Sequence, residues 1–194
     1  MEADWDFEIG PDLPSIAVPW DGFIDLRNRA DAATKEISEA AGHPALFDAL
    51  ITLNSPDSPV FTSKCDVWEI KQEEIDIYEF AARRESASRG FASYIDVILV
   101  DREKFQSLEF HELWVRRITE DLRARVLANC RADLVVRPAT IHSLSGSGIT
   151  IYAAGCGGDA PAAYAAWETV LQAAVDATMK VTRFAPARAS SSIG

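Results

Sequence analysis

From Asp21 onward the apolar side chains change period several times, and each change marks an element. Leu26, Ala30, Ala33 and Ile37 recur at i, i+4, i+7 and i+11. That stripe predicts an amphipathic helix from an N-cap at Asp21 to about Ala41, stopped by Gly42. Pro44 then opens a second helix with Leu46, Phe47, Leu50 and Ile51 on its apolar face. The turn-rich run Asn54–Pro59 ends it, and the period falls towards two. Phe61 to Ile70 reads as a strand with Cys65 and Val67 on one side and Trp68 and Ile70 on the other. Residues 71–90 are charged and fit either a strand extension or a short helix. Phe91 to Val100 is a clearer strand, carrying Phe91, Ile95, Val97 and Leu99 on one face and Tyr94, Ile98 and Val100 on the other. Apolar residues on both faces predict a central strand.

Asp101 can cap a helix running to about Ala128, broken near Ser107, with Val115, Ile118, Leu122 and Val126 as its stripe. Leu134–Val136 and Ile149–Ala154 read as short strands joined by a flexible polar loop, SLSGSG. The last helix spans roughly Pro161 to Val181, with Tyr164, Trp167, Leu171, Ala174, Thr178 and Val181 in register. The order α-α-β-β-α-β-β-α clusters like elements. It predicts an α+β fold: a mostly antiparallel sheet of about four strands with helices packed on one face.

Residues 1–20 stand apart. Pro11, Pro14 and Pro19 prevent a helix, while Trp5, Phe7, Ile9, Ile16, Val18 and Trp20 are too apolar for a solvated leader. An extended acidic and aromatic arm is expected, docked on its own domain or on a second subunit. The expected organisation is the arm at 1–20, one α+β domain at 21–184 and a C-terminal tail at 185–194.

Charge sharpens that picture. The chain has 194 residues and a net charge of −11. Residues 1–80 carry 18 acids and five bases; the remainder carries 12 acids and 14 bases. An acidic chain of this kind argues against nucleic-acid binding, and no run is long and apolar enough for a membrane span. The start, MEADWDFEIG, lacks the basic-then-apolar form of a secretory signal, and three unpaired-looking cysteines fit reduced thiols in the cytoplasm. Arg116, Arg117, Arg123 and Arg125 concentrate positive charge on the central helix, with Glu120 and Asp121 four residues after the first two. The remaining arginine surplus is a candidate receptor for carboxylates, and the acidic N-terminal half is an internal candidate partner.

No catalytic constellation is complete. Gly155–Ala160 satisfies G-x-G-x-x-A between a strand and a helix, but no parallel strand follows and Asp159 would repel a phosphate. A structural glycine turn is the expected role, so no cofactor is implied. His111-Glu112 begins a zinc-protease motif that fails at Val115, so no metal is implied, and Glu109, His111 and Glu112 read as a solvated helix face. Cys156, ahead of a helix N-terminus, is the thiol with a route to a lowered pKa. Together with His142, Gly157, Gly158 and the serines of the SLSGSG loop, it forms the alternative reading: a small-molecule-binding domain, or a hydrolase or transferase. His43 reads as a surface or capping residue.

The first reading is a non-enzymatic interaction or assembly protein that forms homo-oligomers or binds another protein. Its interaction residues would be Trp5, Phe7, Trp20 and the four helix arginines. The helix–strand–strand–helix–strand–strand order is loosely similar to that of phage tail or neck assembly subunits.

Overall fold

A computed structural model describes residues 1–27, 36–84 and 87–182. It is an α+β structure built on a six-stranded mixed sheet. The strands are β1 (Glu2–Phe7), β2 (Ile16–Val18), β3 (Val60–Ile70), β4 (Arg89–Leu99), β5 (Cys130–Ile141) and β6 (Leu144–Gly157). The helices are α1 (Pro44–Leu53), α2 (Arg102–Gln106), α3 (Leu108–Arg123) and α4 (Ala160–Thr182). Across the sheet the order is β1-β5-β6-β4-β3, and β2 continues the β1 edge by pairing with β5 further along.

The expected antiparallel four-strand sheet is therefore only its inner part. β3/β4, β4/β6 and β5/β6 are antiparallel, whereas β1 and β2 run parallel to β5. The two added strands come from the N-terminal arm. Its prolines fall outside both strands: Pro11 and Pro14 lie between them, and Pro19 follows β2. The segment Glu-Ala-Asp-Trp-Asp-Phe then alternates cleanly. Ala3, Trp5 and Phe7 face the helix layer, and Glu2, Asp4 and Asp6 face away from it.

Other boundaries moved for local reasons. The helix expected over 21–41 is absent at both ends, where 21–27 is irregular and Ser38–Ala40 is a single 3₁₀ turn; positions 28–35 lie outside the described residues. α1 begins at Pro44 as expected and buries Leu46, Ala49, Leu50 and Leu53. Asn54 then ties it to β3, donating to Leu50 O (2.8 Å) and accepting from Thr62 N (3.0 Å). The break at Ser107 is real, because its hydroxyl accepts from Phe110 N and caps α3. α3 ends at Arg123 rather than near Ala128, so Val126 is fully exposed, and Asn129 (φ 59°) turns the chain into β5.

The SLSGSG segment is not a flexible loop. Its Leu144–Gly148 opens β6, and the hairpin turns at His142–Ser143 instead, with His142 at φ 53°. Glycine is needed there for space: a Cβ on Gly146 would sit 2.5 Å from Phe105 Cε1. The same holds for the GCGGD run, which continues β6 to Gly157 instead of forming a glycine turn. A Cβ on Gly155 would lie 2.6 Å from the Ala166 carbonyl carbon and 2.7 Å from Trp167 Cα. The α4 backbone thus rests almost on the strand. Asp159 caps α4 through Ala162 N (2.9 Å), and Trp167 Nε1 donates to Ser93 Oγ (2.9 Å). α3 and α4 bury their stripes, including Trp114, Ile118, Leu122, Trp167 and Leu171, against one face of the sheet.

Candidate interaction surface

Among the described residues, the opposite sheet face is covered only at its ends. At one end the stretch 16–27 folds across: Ile16 packs at Gly148, Ser63 Oγ donates to Ala17 O (3.2 Å), and the Arg27 guanidinium lies 4.3 Å from the Phe61 ring. At the other end Phe80 is buried and Glu79 reaches Arg131 (2.8 Å). Between them runs a strip of rings, one from each of three adjacent strands. Trp68 on β3 is 6.4 Å from Tyr94 on β4, which is 6.1 Å from Tyr152 on β6. Trp68 is 41% exposed, and both tyrosines are half-buried. Register places Asp66 and Asp133 at the two ends of the Tyr94–Tyr152 row. Burial, with Asp96 and Asp66 nearby, raises the Tyr94 phenol above its usual range, so the ring stays neutral.

Beside the strip, on the same face, a polar chain crosses the sheet. Arg137 donates to Glu8 Oε2 (2.6 Å) and to Thr150 Oγ1 (3.0 Å), and Thr150 donates to Asp96 Oδ1 (2.6 Å). Arg137 and Asp96 are only 9% and 7% exposed, so each depends on the chain for its partners. Burial pushes the Asp96 carboxyl above its usual range, against the Thr150 bond and the charges of Arg137 and Lys64. The Arg137 guanidinium also lies 5.6 Å from the Tyr152 ring centroid.

Both sheet edges are blunted by aspartate. On β1, Asp4 and Asp6 accept hydrogen bonds from the N–H groups of Trp5 (2.9 Å) and Phe7 (2.7 Å). On β3, Asp66 accepts from Val67 N (2.7 Å). Unpaired edge donors invite strand addition, and these carboxylates occupy them. Contacts with another chain are thereby directed to side-chain surfaces.

The arginines of α3 are mostly committed within the chain. Arg123 donates to Ala3 O (2.7 Å) and pairs with Asp4 (3.3 Å), and Arg116 lies 5.5 Å from the Trp5 ring. The acidic arm thus meets the arginine helix in the same molecule. The expected i, i+4 pairs to Glu120 and Asp121 do not form. Arg116 pairs backwards with Glu112, while Asp121 takes Arg125 and Lys180. Arg117 is exposed and has no ion pair among the described residues. Of the arm's aromatics, Trp5 and Phe7 pack edge-to-face against each other on the core, and Trp20 remains partly exposed.

The alternative site is not assembled. His142 is exposed at the hairpin turn, whereas Cys156 is buried at the far end of β6, about 45 Å of extended chain away. Gly157 lies under α4, and Gly158 follows the strand. Burial, with a smaller contribution from Cys130, pushes the Cys156 thiol up to about 11, opposite to the lowering expected from a helix N-terminus. Burial beside Glu39, Asp66 and Asp96 likewise pushes Cys65 up to about 12. Cys130 and Cys156 will therefore resist an aromatic disulfide reagent at pH 7.5 in the native protein and react once unfolded. Fast native labelling of Cys156, followed by mass spectrometry, would contradict this placement.

Two histidines also differ from expectation. His111 is buried rather than solvated: Nδ1 lies 2.8 Å from Ser107 O, Nε2 has no partner in hydrogen-bonding geometry, and burial lowers its pKa. The His43 side chain makes no cap bond and lies 6.0 Å from the Tyr164 ring.

Fold and surface together define an α+β protein with one helix-covered sheet face and one partly bare aromatic face. Compared with protein-family models, curated proteins and solved structures, the chain matches none. Among the described residues no helix is long and apolar enough to cross a membrane.

Proposed function

We propose that the chain is a non-enzymatic interaction or assembly protein that self-associates, of phage tail or neck type by element order alone. The observation that supports it is the division of labour within the arm. Trp5 and Phe7 are used on the chain's own core, while Ile9 and Leu13, in the turn between β1 and β2, stand 51% and 46% exposed. Single exposed apolar residues are ordinary, but these two flank Pro11 in the short connection between two strands of one sheet edge. The aspartate-blunted strands leave this apex, rather than backbone pairing, as the contact.

Light scattering with sedimentation velocity tests it. The native protein is expected to form a closed oligomer, and Ile9→Ser/Leu13→Ser to shift it to monomer with an unchanged circular dichroism spectrum and a melting temperature lowered only by the lost association. A native protein that is monomeric at tens of micromolar rejects the proposal. Deleting the arm is the wrong experiment, because it removes β1 and β2 and bares the β5 edge.

A further inference from the structure

The aromatic strip runs into a cavity of about 440 Å³ that shares Tyr94 and Asp66 with it. Trp20 and Tyr94 supply rings to the wall, and Glu36, Glu39 and Asp66 supply carboxylates. None of these three carboxylates has an ion pair among the described residues. A second feature identifies the ligand chemistry: the chain's own Lys64 places its ammonium 5.1 Å from the Trp20 ring inside this cavity. Close by, Arg27 lies over Phe61 and Arg137 over Tyr152. Rings of this face are already used to hold cations, and a guanidinium suits them better than an ammonium because it is planar and weakly hydrated.

We infer that the cavity and strip bind an arginine-bearing segment of a partner protein. One guanidinium enters between Trp20 and Tyr94 towards Glu36, Glu39 and Asp66, displacing Lys64, and the flanking peptide lies across Tyr94, Tyr152 and Trp68. Charge selects the partner. The chain is −11 overall, with the excess acid in residues 1–80, which supply the cavity's three carboxylates. A second copy brings the same net charge, so a basic partner complements the face better. The strip spans three strands, roughly 10 Å at ~4.8 Å per strand, which three or four extended residues cover. This inference goes beyond self-association at the Ile9–Leu13 apex and uses a separate surface, so either can fail alone.

The test is calorimetric titration at 150 mM salt with a blocked hexapeptide of alternating alanine and arginine. The same peptide with lysine, and free argininamide, serve as comparisons. The arginine peptide is expected to bind more tightly than either. Trp68→Ala should weaken the peptide about tenfold and leave argininamide unchanged, because Trp68 lies on the strip and outside the cavity. Asp66→Asn should weaken both. Lys64→Gln should tighten the peptide by threefold or more, a gain that damaged folding cannot mimic. Lys104→Gln removes an equal charge over Phe110, away from the cavity, and should change little. Equal binding of the lysine peptide, or equal gains from Lys64→Gln and Lys104→Gln, would overturn the inference. So would a peptide that does not bind while Trp68→Ala dissociates an oligomer, since the strip's occupant is then a second copy.

Discussion

Gly155→Ala is expected to cost about 3 kcal/mol of stability, a large share of the roughly 5–15 kcal/mol margin of an ordinary domain. A single methyl has this effect because of where it would point. On β6 it would be driven into the backbone of α4 at Ala166 and Trp167, which cannot yield as a side-chain tip can. Relief requires α4 to lift from the sheet. That would strip cover from Ile151 and Ala153, and pull Trp167 Nε1 from Ser93. Elsewhere a glycine-to-alanine change tends to stabilise by about 0.4–1 kcal/mol through the unfolded chain, so the sign here reports the close approach itself. Gly10→Ala is the control, since its nearest neighbour is the flexible end of Leu13 at 3.3 Å, and it should be near neutral. Denaturant titration of the two variants decides the matter. A Gly155→Ala midpoint equal to that of Gly10→Ala would show that the helix does not rest on the strand.

The same contact explains what the residue pattern could and could not convey. Periodicity located α1, β3, β4, α4 and the Ser107 break, because in each the apolar spacing and the capping residue agree. It also assigned Cys65 and Val67 to one face of β3 and Trp68 to the other, which is where the exposed ring stands. Glycine misled in both of its runs. SLSGSG and GCGGD look like loops because glycine is common in turns, yet here it thins a strand so that Phe105 and α4 can approach. In the arm the prolines correctly excluded a helix, but the expected extended arm did not show that its strands join the sheet. The three prolines flank two short strands, and the acid–apolar alternation from Glu2 to Phe7 was the legible signal. The aromatic strip was beyond reach for a different reason: Trp68, Tyr94 and Tyr152 belong to three strands, and only the pairing register brings them together. The polar chain from Asp96 to Glu8 is similarly invisible until β4, β6, β5 and the end of β1 lie side by side.

That polar chain carries the second large effect, and its pH dependence has a definite sign. Asp96 titrates above its usual range in the folded protein, so the native state holds this proton more tightly than the unfolded chain does. Above about pH 4 the unfolded chain gives up the proton while the native state retains it, and the Asp96 contribution to stability falls as pH rises. The fall ends once pH passes the folded pKa, and from there the ionised carboxylate relies on Thr150 and on the charge of Arg137. Arg137→Met keeps most of the packed stem and removes the cation. The Asp96 pKa should then climb further, the decline should extend to higher pH, and the variant should lose about 2 kcal/mol at pH 7. Glu8 loses its partner too, but its partly exposed carboxylate is compensated by water, so the penalty concentrates at Asp96. Adding Asp96→Asn removes the stranded charge. The double variant should therefore recover most of the loss at pH 7 and flatten the pH profile, while Asp96→Asn alone shows only the flattening. Denaturant midpoints of the four proteins from pH 4 to 8 measure this coupling directly. A double variant no more stable at pH 7 than Arg137→Met alone would place the cost in the arginine's packing rather than in the carboxylate it faces.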